Sequence, residues 1–192
     1  MNIHKELYEK YFSKIRKREI IKRMYPLLKD SKSILDVGCG NGIISEELMK
    51  RRKDLKINGI DIINIKDPKI PIKIFNGEEI PFKDKSFDTI IAIDVLHHAK
   101  DFVKLFREMI RTSDKYIIIR DHYYKTKLDY LILMAYDYIG NKPFGVSLPY
   151  NFKSLSYWNK LIKKSNLKKI YFKTFRYPLQ PGKQIIMKLE VR

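Results

Sequence analysis

The stretch from Ser33 to Gly42 constrains the fold of this chain more than any other part of the sequence. It begins with a short apolar run, Ile34 to Val37, and continues into three glycines that alternate with Cys39 and Asn41. Residues 43–49 then resume apolar spacing typical of a helix. The pattern predicts a buried strand, a tight glycine turn and the start of a helix. Glycine tolerates a positive φ and has no Cβ, so such a turn lets a ligand approach the backbone closely.

The spacing of the glycines selects among ligand classes. A dinucleotide-binding turn of the form G-x-G-x-x-G requires a third glycine at position 43, where this chain has Ile43. A P-loop is excluded because no Gly-Lys-Ser/Thr sequence follows the turn. The motif present is Asp-x-Gly-x-Gly-x-Gly, with Asp36 on the strand. A carboxylate there favours a ligand with an ammonium group over a pyrophosphate. The alternative is a purely structural turn.

Read as Leu35 to Gly42, this stretch resembles the first motif of the class I S-adenosylmethionine-dependent methyltransferases. The resemblance implies an α/β fold, a Rossmann-like doubly wound seven-stranded sheet. The sheet would be mostly parallel with an antiparallel last strand and helices on both faces. The implied cofactor is S-adenosylmethionine. The first motif would contribute four cofactor-binding residues, Asp36, Gly38, Gly40 and Gly42.

A second acidic residue ends the next predicted strand. Leu55 to Asp61 alternates between apolar and polar residues, and Asp61 follows Gly42 by about 20 residues. A doubly wound fold places at this point the carboxylate that accepts hydrogen bonds from ribose hydroxyls. The chain resembles the family here as well, and we predict that Asp61 binds the cofactor. Ile62 would then lie against the adenine ring.

The third predicted strand, Ile72 to Phe75, precedes Asn76-Gly77-Glu78-Glu79-Ile80-Pro81-Phe82. This segment resembles a second family signature, G-D-A-E-x-L-P-F, in which an acid accepts from the adenine amino group. Alignment on Pro81 and Phe82 places Asn76 at the acidic position and Gly77 after it. An Asn carbonyl can also accept that hydrogen bond, and we therefore predict both residues as adenine contacts.

The segment from Lys85 to Asp94 is a predicted turn that leads into a fourth, nearly continuous apolar strand, as in the centre of a parallel sheet. It leads into Val95-Leu96-His97-His98, and the S-F-D…L-H-H pairing is typical of the small-molecule branch of the family. The carboxyl end of this strand faces the ligand crevice of a doubly wound fold. Asp94 is therefore a predicted cofactor contact and His98 a candidate general base. The alternative for either histidine is helix capping or packing.

A fifth strand, Tyr116 to Arg120, runs into Asp121-His122-Tyr123-Tyr124. An Asp beside a His can orient the imidazole and raise its basicity, so His122 is the second candidate base. Tyr123 and Tyr124 are predicted to line the acceptor site. The alternative is a helix N-cap at Asp121 with buried tyrosines.

We predict that residues 1–192 form a single methyltransferase domain. Residues 1–30 are expected to form an N-terminal helical lid. Residues 125–165 are expected to form a helix and loop insertion near the acceptor site, in which Tyr150 also lines that site. Two final strands, Lys168 to Phe175 and Gln184 to Val191, would close the sheet as in the resembled family.

Charge and cysteine content limit the partners and compartment. The 192 residues include 40 Lys and Arg against 22 Asp and Glu, a net charge of +18. Such an excess suits RNA or an anionic membrane surface, but lysines scattered along the chain are equally typical of heat-adapted proteins. A nucleic-acid partner is therefore an alternative that is not favoured. The one cysteine, the absence of a signal peptide and the absence of a transmembrane run predict a cytoplasmic protein.

A sulfonium methyl group is already activated, so its transfer needs no metal and no enzyme nucleophile, and we expect no metal site. The sequence favours methyl transfer to a small acceptor, aromatic or lipophilic. One alternative is an RNA or ribosome-associated methyltransferase that uses the basic surface. Another is a partner subunit that binds the cofactor without turnover. The acceptor atom and the oligomeric state are not defined by the sequence.

Overall fold

The computed structural model of the protein describes residues 13–142, 147–177 and 182–192. One mixed β-sheet forms its centre. Its strands are β1 (Ser33–Val37), β2 (Lys56–Asp61), β3 (Ile72–Ile74), β4 (Phe87–Ile93), β5 (Ser113–Tyr124), β6 (Lys153–Ser154), β7 (Lys168–Phe175) and β8 (Lys183–Glu190).

The strand order is β3-β2-β1-β4-β5-β8-β7, and the two-residue β6 pairs with β5 off this path. Strands β1 to β5 are parallel to one another, whereas β8 lies antiparallel between β5 and β7. The predicted seven-stranded, mostly parallel sheet with an antiparallel last strand is confirmed, with β6 as a short addition. The order reverses between β1 and β4, where doubly wound folds open their ligand crevice.

Five α-helices surround the sheet within the described ranges: α1 (Ser13–Met24), α2 (Ile43–Arg51), α3 (Phe102–Thr112), α4 (Lys127–Asn141) and α5 (Leu155–Lys164). Two 3₁₀ turns, Tyr25–Leu28 and Leu96–His98, complete the helical elements. None of these helices combines the length and apolarity that a membrane span requires.

Two hydrophobic clusters cover the two faces of the sheet. The first contains Phe106 of α3 and Trp158 of α5, packed with odd-numbered residues of β5 such as Ile119. The second contains Ile21 of α1 and Leu48 of α2, packed with even-numbered residues such as Ile118. Successive residues of a strand point to opposite faces, so β5 contributes to both clusters. Its near-continuous apolar sequence follows from burial on both sides.

The fifth strand is longer than the sequence indicated. It extends from Ser113 to Tyr124, so Asp121 lies within the strand and does not cap a helix. The N-cap of α4 is Thr126, whose hydroxyl accepts from the backbone N–H of Asp129 in a capping box. The alternative interpretation of Asp121 as an N-cap is therefore wrong, because β8 and β6 both extend the pairing of β5 to its last residues.

The segments predicted as an N-terminal lid and as an insertion, residues 1–30 and 125–165, contribute to different hydrophobic clusters. Of residues 1–30, residues 1–12 lie outside the described ranges, and α1 packs on the second cluster through Ile20, Ile21 and Met24. Of residues 125–165, α4 follows β5 directly, whereas α5 packs into the core through the fully buried Trp158. Helix α4 exposes an apolar set, Leu128, Leu131, Ile132, Tyr138 and Ile139.

Candidate functional site

The glycine turn joins β1 to α2. Gly38, Gly40 and Gly42 have φ values of 67°, 55° and 76°, in the left-handed region that favours glycine. The backbone N–H of Gly38 donates to the carbonyl of Ile60 at 2.8 Å, which fixes the turn against β2. Helix α2 begins after Gly42 without a side-chain cap in the described chain. Its N-terminal N–H groups therefore face the same edge of the sheet as the turn.

Only one of the three glycines faces open space. A Cβ on Gly38 would lie 2.5 Å from Cγ2 of Val95, and a Cβ on Gly42 would lie 2.5 Å from Cγ1 of Ile70. A Cβ on Gly40 would meet no atom of the described residues within 4 Å. The turn thus presents an open, Cβ-free surface at Gly40, which fits a ligand that lies against the backbone.

Asp61 ends β2 directly opposite this surface. Its Oδ2 accepts from the backbone N–H of Gly40 at 2.8 Å, and its Oδ1 accepts from the N–H of Ile63 at 3.0 Å. A carboxylate offers about four lone-pair sites, so each oxygen retains capacity for a further hydroxyl donor. The geometry holds the carboxylate rigidly beside the glycine turn, and this arrangement fits a ribose with two hydroxyl groups.

Asn76 and Gly77 follow β3 next to Asp61. The Asn76 Oδ1 accepts from the backbone N–H groups of Glu78 and Glu79, at 2.9 and 2.8 Å, and so closes a local turn. Gly77 has a φ of 81°, and a Cβ there would lie 3.2 Å from the exposed side chain of Ile62. Ile62 and Gly77 therefore form one apolar wall between the ends of β2 and β3. The side-chain oxygen of Asn76 therefore already accepts two backbone hydrogen bonds within its own turn.

Asp36 lies on β1 and is buried. Its Oδ2 accepts from the Ser45 hydroxyl at 2.6 Å. Burial raises the pKa of Asp36 to about 7, while the Ser45 hydrogen bond lowers it and the charge of Asp61 raises it further. The carboxyl group is thus divided between its neutral and ionised forms near neutral pH.

Asp94 follows β4 with a φ of 58° and forms ion pairs with two arginines. One is Arg120 of β5, which is buried, and the other is the half-exposed Arg16 of α1. Burial lowers the pKa of Arg120 to about 10, so its guanidinium remains charged at neutral pH. The predicted cofactor residue Asp94 therefore anchors α1 to the strand ends through its contact with Arg16.

Asp121 pairs with His97, not with the imidazole of His122. The Nδ1 of His97 lies 2.5 Å from Oδ1 of Asp121, and both side chains are buried. Burial opposes ionisation of Asp121, but the charge and hydrogen bond of His97, with contributions from His122, lower its pKa to about 2. The His97 ring stacks on Phe152 at a centroid distance of 4.9 Å. The predicted Asp–His pair is therefore formed by Asp121 with His97 of the turn after β4, and not with the adjacent His122.

His98 and His122, the two predicted bases, have different environments. The Nδ1 of His98 lies 3.1 Å from the carbonyl oxygen of Ser147, and burial and the neighbouring His97 lower its pKa to about 4. The Nε2 of His122 lies 3.0 Å from Nε2 of Gln184, its register partner on β8. Burial, His97 and Arg120 lower the pKa of His122 well below its usual value. Both rings are therefore neutral at pH 7.

The three tyrosines predicted to line the acceptor site lie in two places: two contact α4, and the third is in the core. Tyr123 is buried in the first hydrophobic cluster. Tyr124 lies edge to face with Tyr130 of α4 at 5.2 Å. The carbonyl of Tyr150 accepts from the Tyr130 hydroxyl at 3.0 Å. Tyr124 and the backbone of Tyr150 thus both contact Tyr130 of α4. Tyr123 packs into the core because it occupies the opposite face of β5 from Tyr124.

Sequence reasoning missed several residues of this edge, namely His97 as the partner of Asp121, together with Arg16, Arg120, Asp137 and Gln184. Two signals were available. Strand alternation separates the side chains of Asp121 and His122, which favours a partner from another element for each. A charged residue in the apolar run before Asp121 also indicates a buried ion pair. The contacts of Arg16, Asp137 and Gln184 depend on tertiary packing.

A family model described as a methyltransferase domain matches residues 8–171 of the chain. The match extends over most of the sequence, including the glycine turn, Asp61 and the ends of β4 and β5. The chain belongs to this family. Its cofactor is S-adenosylmethionine, as the sequence predicted.

Two curated relatives match the chain over part of its length. The tRNA U34 carboxymethyltransferase of Nautilia profundicola is 33% identical over 91 residues, which cover 42% of this chain and 30% of that protein. The ajmaline N-methyltransferase of Rauvolfia serpentina is 29% identical over 112 residues, which cover 50% of this chain and 38% of that protein. The chain thus spans about a third of the length of these relatives.

Solved structures match the chain over nearly its whole length. The YcgJ protein from Bacillus subtilis has a TM-score of 0.70 and 17% identity, and the match covers 91% of this chain and 99% of that one. The magnesium protoporphyrin IX methyltransferase from Synechocystis, solved with bound SAH, has a TM-score of 0.64 and 14% identity, with coverage of 91% and 83%. These likenesses establish the fold of the chain.

Proposed function

We propose that the chain transfers the methyl group of S-adenosylmethionine to a small aromatic or lipophilic acceptor at the carboxyl ends of β4 and β5. The observation that carries the cofactor part is the pairing of Asp61 with the open turn at Gly40. In this arrangement the carboxylate of Asp61 accepts hydrogen bonds from the ribose hydroxyl groups, and Ile62 and Gly77 flank the adenine ring. Asp36, Gly38 and Gly42 shape the turn on which the methionine portion lies.

The proposed class of acceptor rests on how helices cover the carboxyl ends of β4 and β5. Helix α1 reaches the end of β4 through the ion pair of Arg16 with Asp94, and α4 covers the end of β5. A run of ring contacts links Tyr124, Tyr130, Phe152 and His97. A covered, aromatic-walled edge favours a small flat acceptor over a folded RNA, because a folded RNA needs an open basic surface.

The bound cofactor supplies an already activated methyl group. The residues of the chain then have two tasks: to align the acceptor and to exclude water. If the acceptor must lose a proton, the neutral ring of His122 is the candidate base, and Asp121 fixes the orientation of His97. No nucleophile of the enzyme is needed.

A second candidate function is methylation of RNA. It is favoured by the net charge of +18 and by the relative named as a tRNA U34 carboxymethyltransferase. A third candidate is a cofactor-binding partner subunit without turnover. The three candidates differ in where a transferred methyl group would be found.

Calorimetric titration with S-adenosylmethionine tests the cofactor site. We expect Asp61→Asn to weaken binding at least tenfold, because a charge-assisted ribose contact becomes neutral and loses about 1.5 kcal/mol. Asp114→Asn is the matched control, since Asp114 is exposed at the opposite end of β5 from the acceptor edge. Equal affinity for wild type and Asp61→Asn would refute the assigned cofactor site.

Transfer of a labelled methyl group then tests the acceptor class. The chain is incubated with labelled S-adenosylmethionine and either the small-molecule fraction or the RNA fraction of a cell extract. Label in the small-molecule fraction supports the proposal. Label in RNA that falls steeply with salt supports the second candidate, since counterion release dominates RNA binding. Tight cofactor binding without transfer to either fraction supports the third.

A further inference from the structure

Two histidines and an aspartate converge where the end of β4 meets α4. His97 and His98 belong to the 3₁₀ turn after β4, and Asp137 lies near the last turn of α4. One ligand atom of each residue lies within 4.8 Å of the other two. We name these three residues the His-His-Asp cluster. It is built from different elements than the glycine turn and Asp61.

The hydrogen-bond partners of the two rings fix their tautomers. Nδ1 of His97 faces the carboxylate of Asp121 at 2.5 Å, and Nδ1 of His98 faces the carbonyl of Ser147 at 3.1 Å. A carboxylate and a carbonyl can only accept, so each Nδ1 must carry the proton. In a neutral ring the other nitrogen then has a free lone pair. In both residues Nε2 is the ring nitrogen that lies near the carboxylate of Asp137.

The three potential ligand atoms of the cluster lie close together. Nε2 of His98 lies 3.6 Å from Oδ1 of Asp137, and Nε2 of His97 lies 3.9 Å from the same atom. These separations are too long for hydrogen bonds. They are close to the spacing of ligand atoms around a tetrahedral metal, which is about 3.4 Å for bonds of 2.0–2.1 Å. All three ligand atoms lie within 4.8 Å of one another, so the side chains would move inward to complete the geometry.

The burial of Asp137 provides an independent observation. The residue is only 5% exposed, and its Oδ2 has no hydrogen-bond partner among the described residues. Its Oδ1 accepts from Nδ2 of Asn141 at 2.6 Å. A buried carboxylate of this kind requires a positive partner, because its desolvation is otherwise uncompensated. A cation held between Asp137 and the two imidazoles would supply that charge.

We propose that the His-His-Asp cluster binds a first-row divalent cation through Nε2 of His97, Nε2 of His98 and Oδ1 of Asp137. Two imidazole nitrogens and one carboxylate oxygen form a donor set typical of zinc, with a fourth position open to water or to an oxygen of the acceptor. Asp121 orients the His97 ring from outside the coordination sphere. The cation links the end of β4 to α4. This proposal departs from the sequence-based expectation that the chain has no metal site.

A neighbouring group, Asp94, Asp121 and His122, also brings three potential ligand atoms together. It is a poorer site because Arg16 and Arg120 already neutralise Asp94. Two guanidinium groups beside the carboxylate would repel a divalent cation. The proposal is therefore confined to the His-His-Asp cluster.

Zinc titration of the full chain tests the proposal. The purified protein is stripped with a chelator and titrated with Zn²⁺ against a chromophoric competitor. We expect one equivalent to bind. Asp137→Asn and His98→Gln should each weaken that binding by about a hundredfold or more, since loss of an outer-shell partner alone weakens metal binding 10- to 100-fold. Zn²⁺ should also raise the Tm of wild type and not of the variants, because a ligand that binds only the folded state stabilises it.

Asp114→Asn is the matched control and should bind Zn²⁺ as wild type does. His98→Gln serves if Asp137→Asn fails to fold, since His98 is partly exposed. Stoichiometric binding that both variants retain would overturn the proposal, as would a wild type that binds no Zn²⁺. Titration of the same samples with S-adenosylmethionine is independent of either result and separates failure of the metal site from failure of the proposed function.

Discussion

At the scale of single residues, burial decides the ionisation of Asp36. The strand β1 is covered on both faces, and the carboxyl group is only 3% exposed. Its pKa of about 7 lies well above the value of about 3.9 for an unfolded chain. Between about pH 4 and pH 7 the folded chain therefore retains a proton that the unfolded chain has already released. This carboxyl group lowers the stability of the fold as the pH rises through that range.

The raised pKa of Asp36 also predicts that cofactor binding depends on pH. If the ionised Asp36 attracts the ammonium group of the methionine portion, binding requires the carboxylate. The ionised fraction rises from about one tenth at pH 6 to about one half at pH 7 for a pKa of 7, so we expect affinity to rise about fivefold. Calorimetry at the two pH values measures the change, and Asp36→Asn should abolish it. A wild-type affinity that does not change with pH would exclude this role for Asp36.

At the scale of elements, the glycine turn combines two kinds of glycine. All three residues need a positive φ, which costs a non-glycine residue about 1–2 kcal/mol. Only Gly38 and Gly42 also need the missing Cβ for packing, against Val95 and Ile70. Gly40 has free space in the described structure, so its missing Cβ serves the ligand and not the fold.

A matched pair of alanine substitutions separates these roles. Gly40→Ala should lower the free energy of unfolding by about 1 kcal/mol and weaken S-adenosylmethionine binding at least tenfold, because its methyl group would occupy the open surface. Gly38→Ala should lower the unfolding free energy by about 2–4 kcal/mol, because overpacking against Val95 adds to the same backbone strain. Urea unfolding and calorimetry give the two quantities. Unchanged cofactor affinity in Gly40→Ala would show that the ligand lies elsewhere.

At the scale of the whole molecule, the last strand ties the two ends of the fold together. Strand β8 pairs with both β5 and β7, and its Lys188 is 3% exposed. The Nζ of Lys188 donates to the carbonyl of Leu27 at 2.9 Å and lies over the Tyr116 ring at 3.8 Å. A contact across 161 positions therefore joins β8 to the segment that precedes β1.

We expect Lys188→Met to lower the free energy of unfolding by about 2 kcal/mol, because it leaves the Leu27 carbonyl without its buried donor. Lys173→Met is the control, since Lys173 is exposed on the edge strand β7. Urea unfolding can be followed by the fluorescence of Trp158, the single tryptophan, which is fully buried. A loss in Lys188→Met no larger than that in Lys173→Met would contradict this role.

The sequence by itself determined the sheet and the cofactor end of the site. The apolar strands and the glycine turn are local patterns, and a parallel sheet has few ways to assemble them. Asp36, Asp61 and the three glycines lie within or directly after those strands. Their positions therefore follow from the strand ends, which local periodicity predicts well.

Only the tertiary structure decided the arrangement at the ends of β4 and β5. The length of β5 is set by its partners β8 and β6, and that length places Asp121 beside His97 rather than at a helix cap. Asp137 reaches the two histidines from 39 positions beyond His98 because α4 folds back over the sheet. Contacts between buried polar groups that are distant in the chain depend on packing angles and register, which no local pattern encodes.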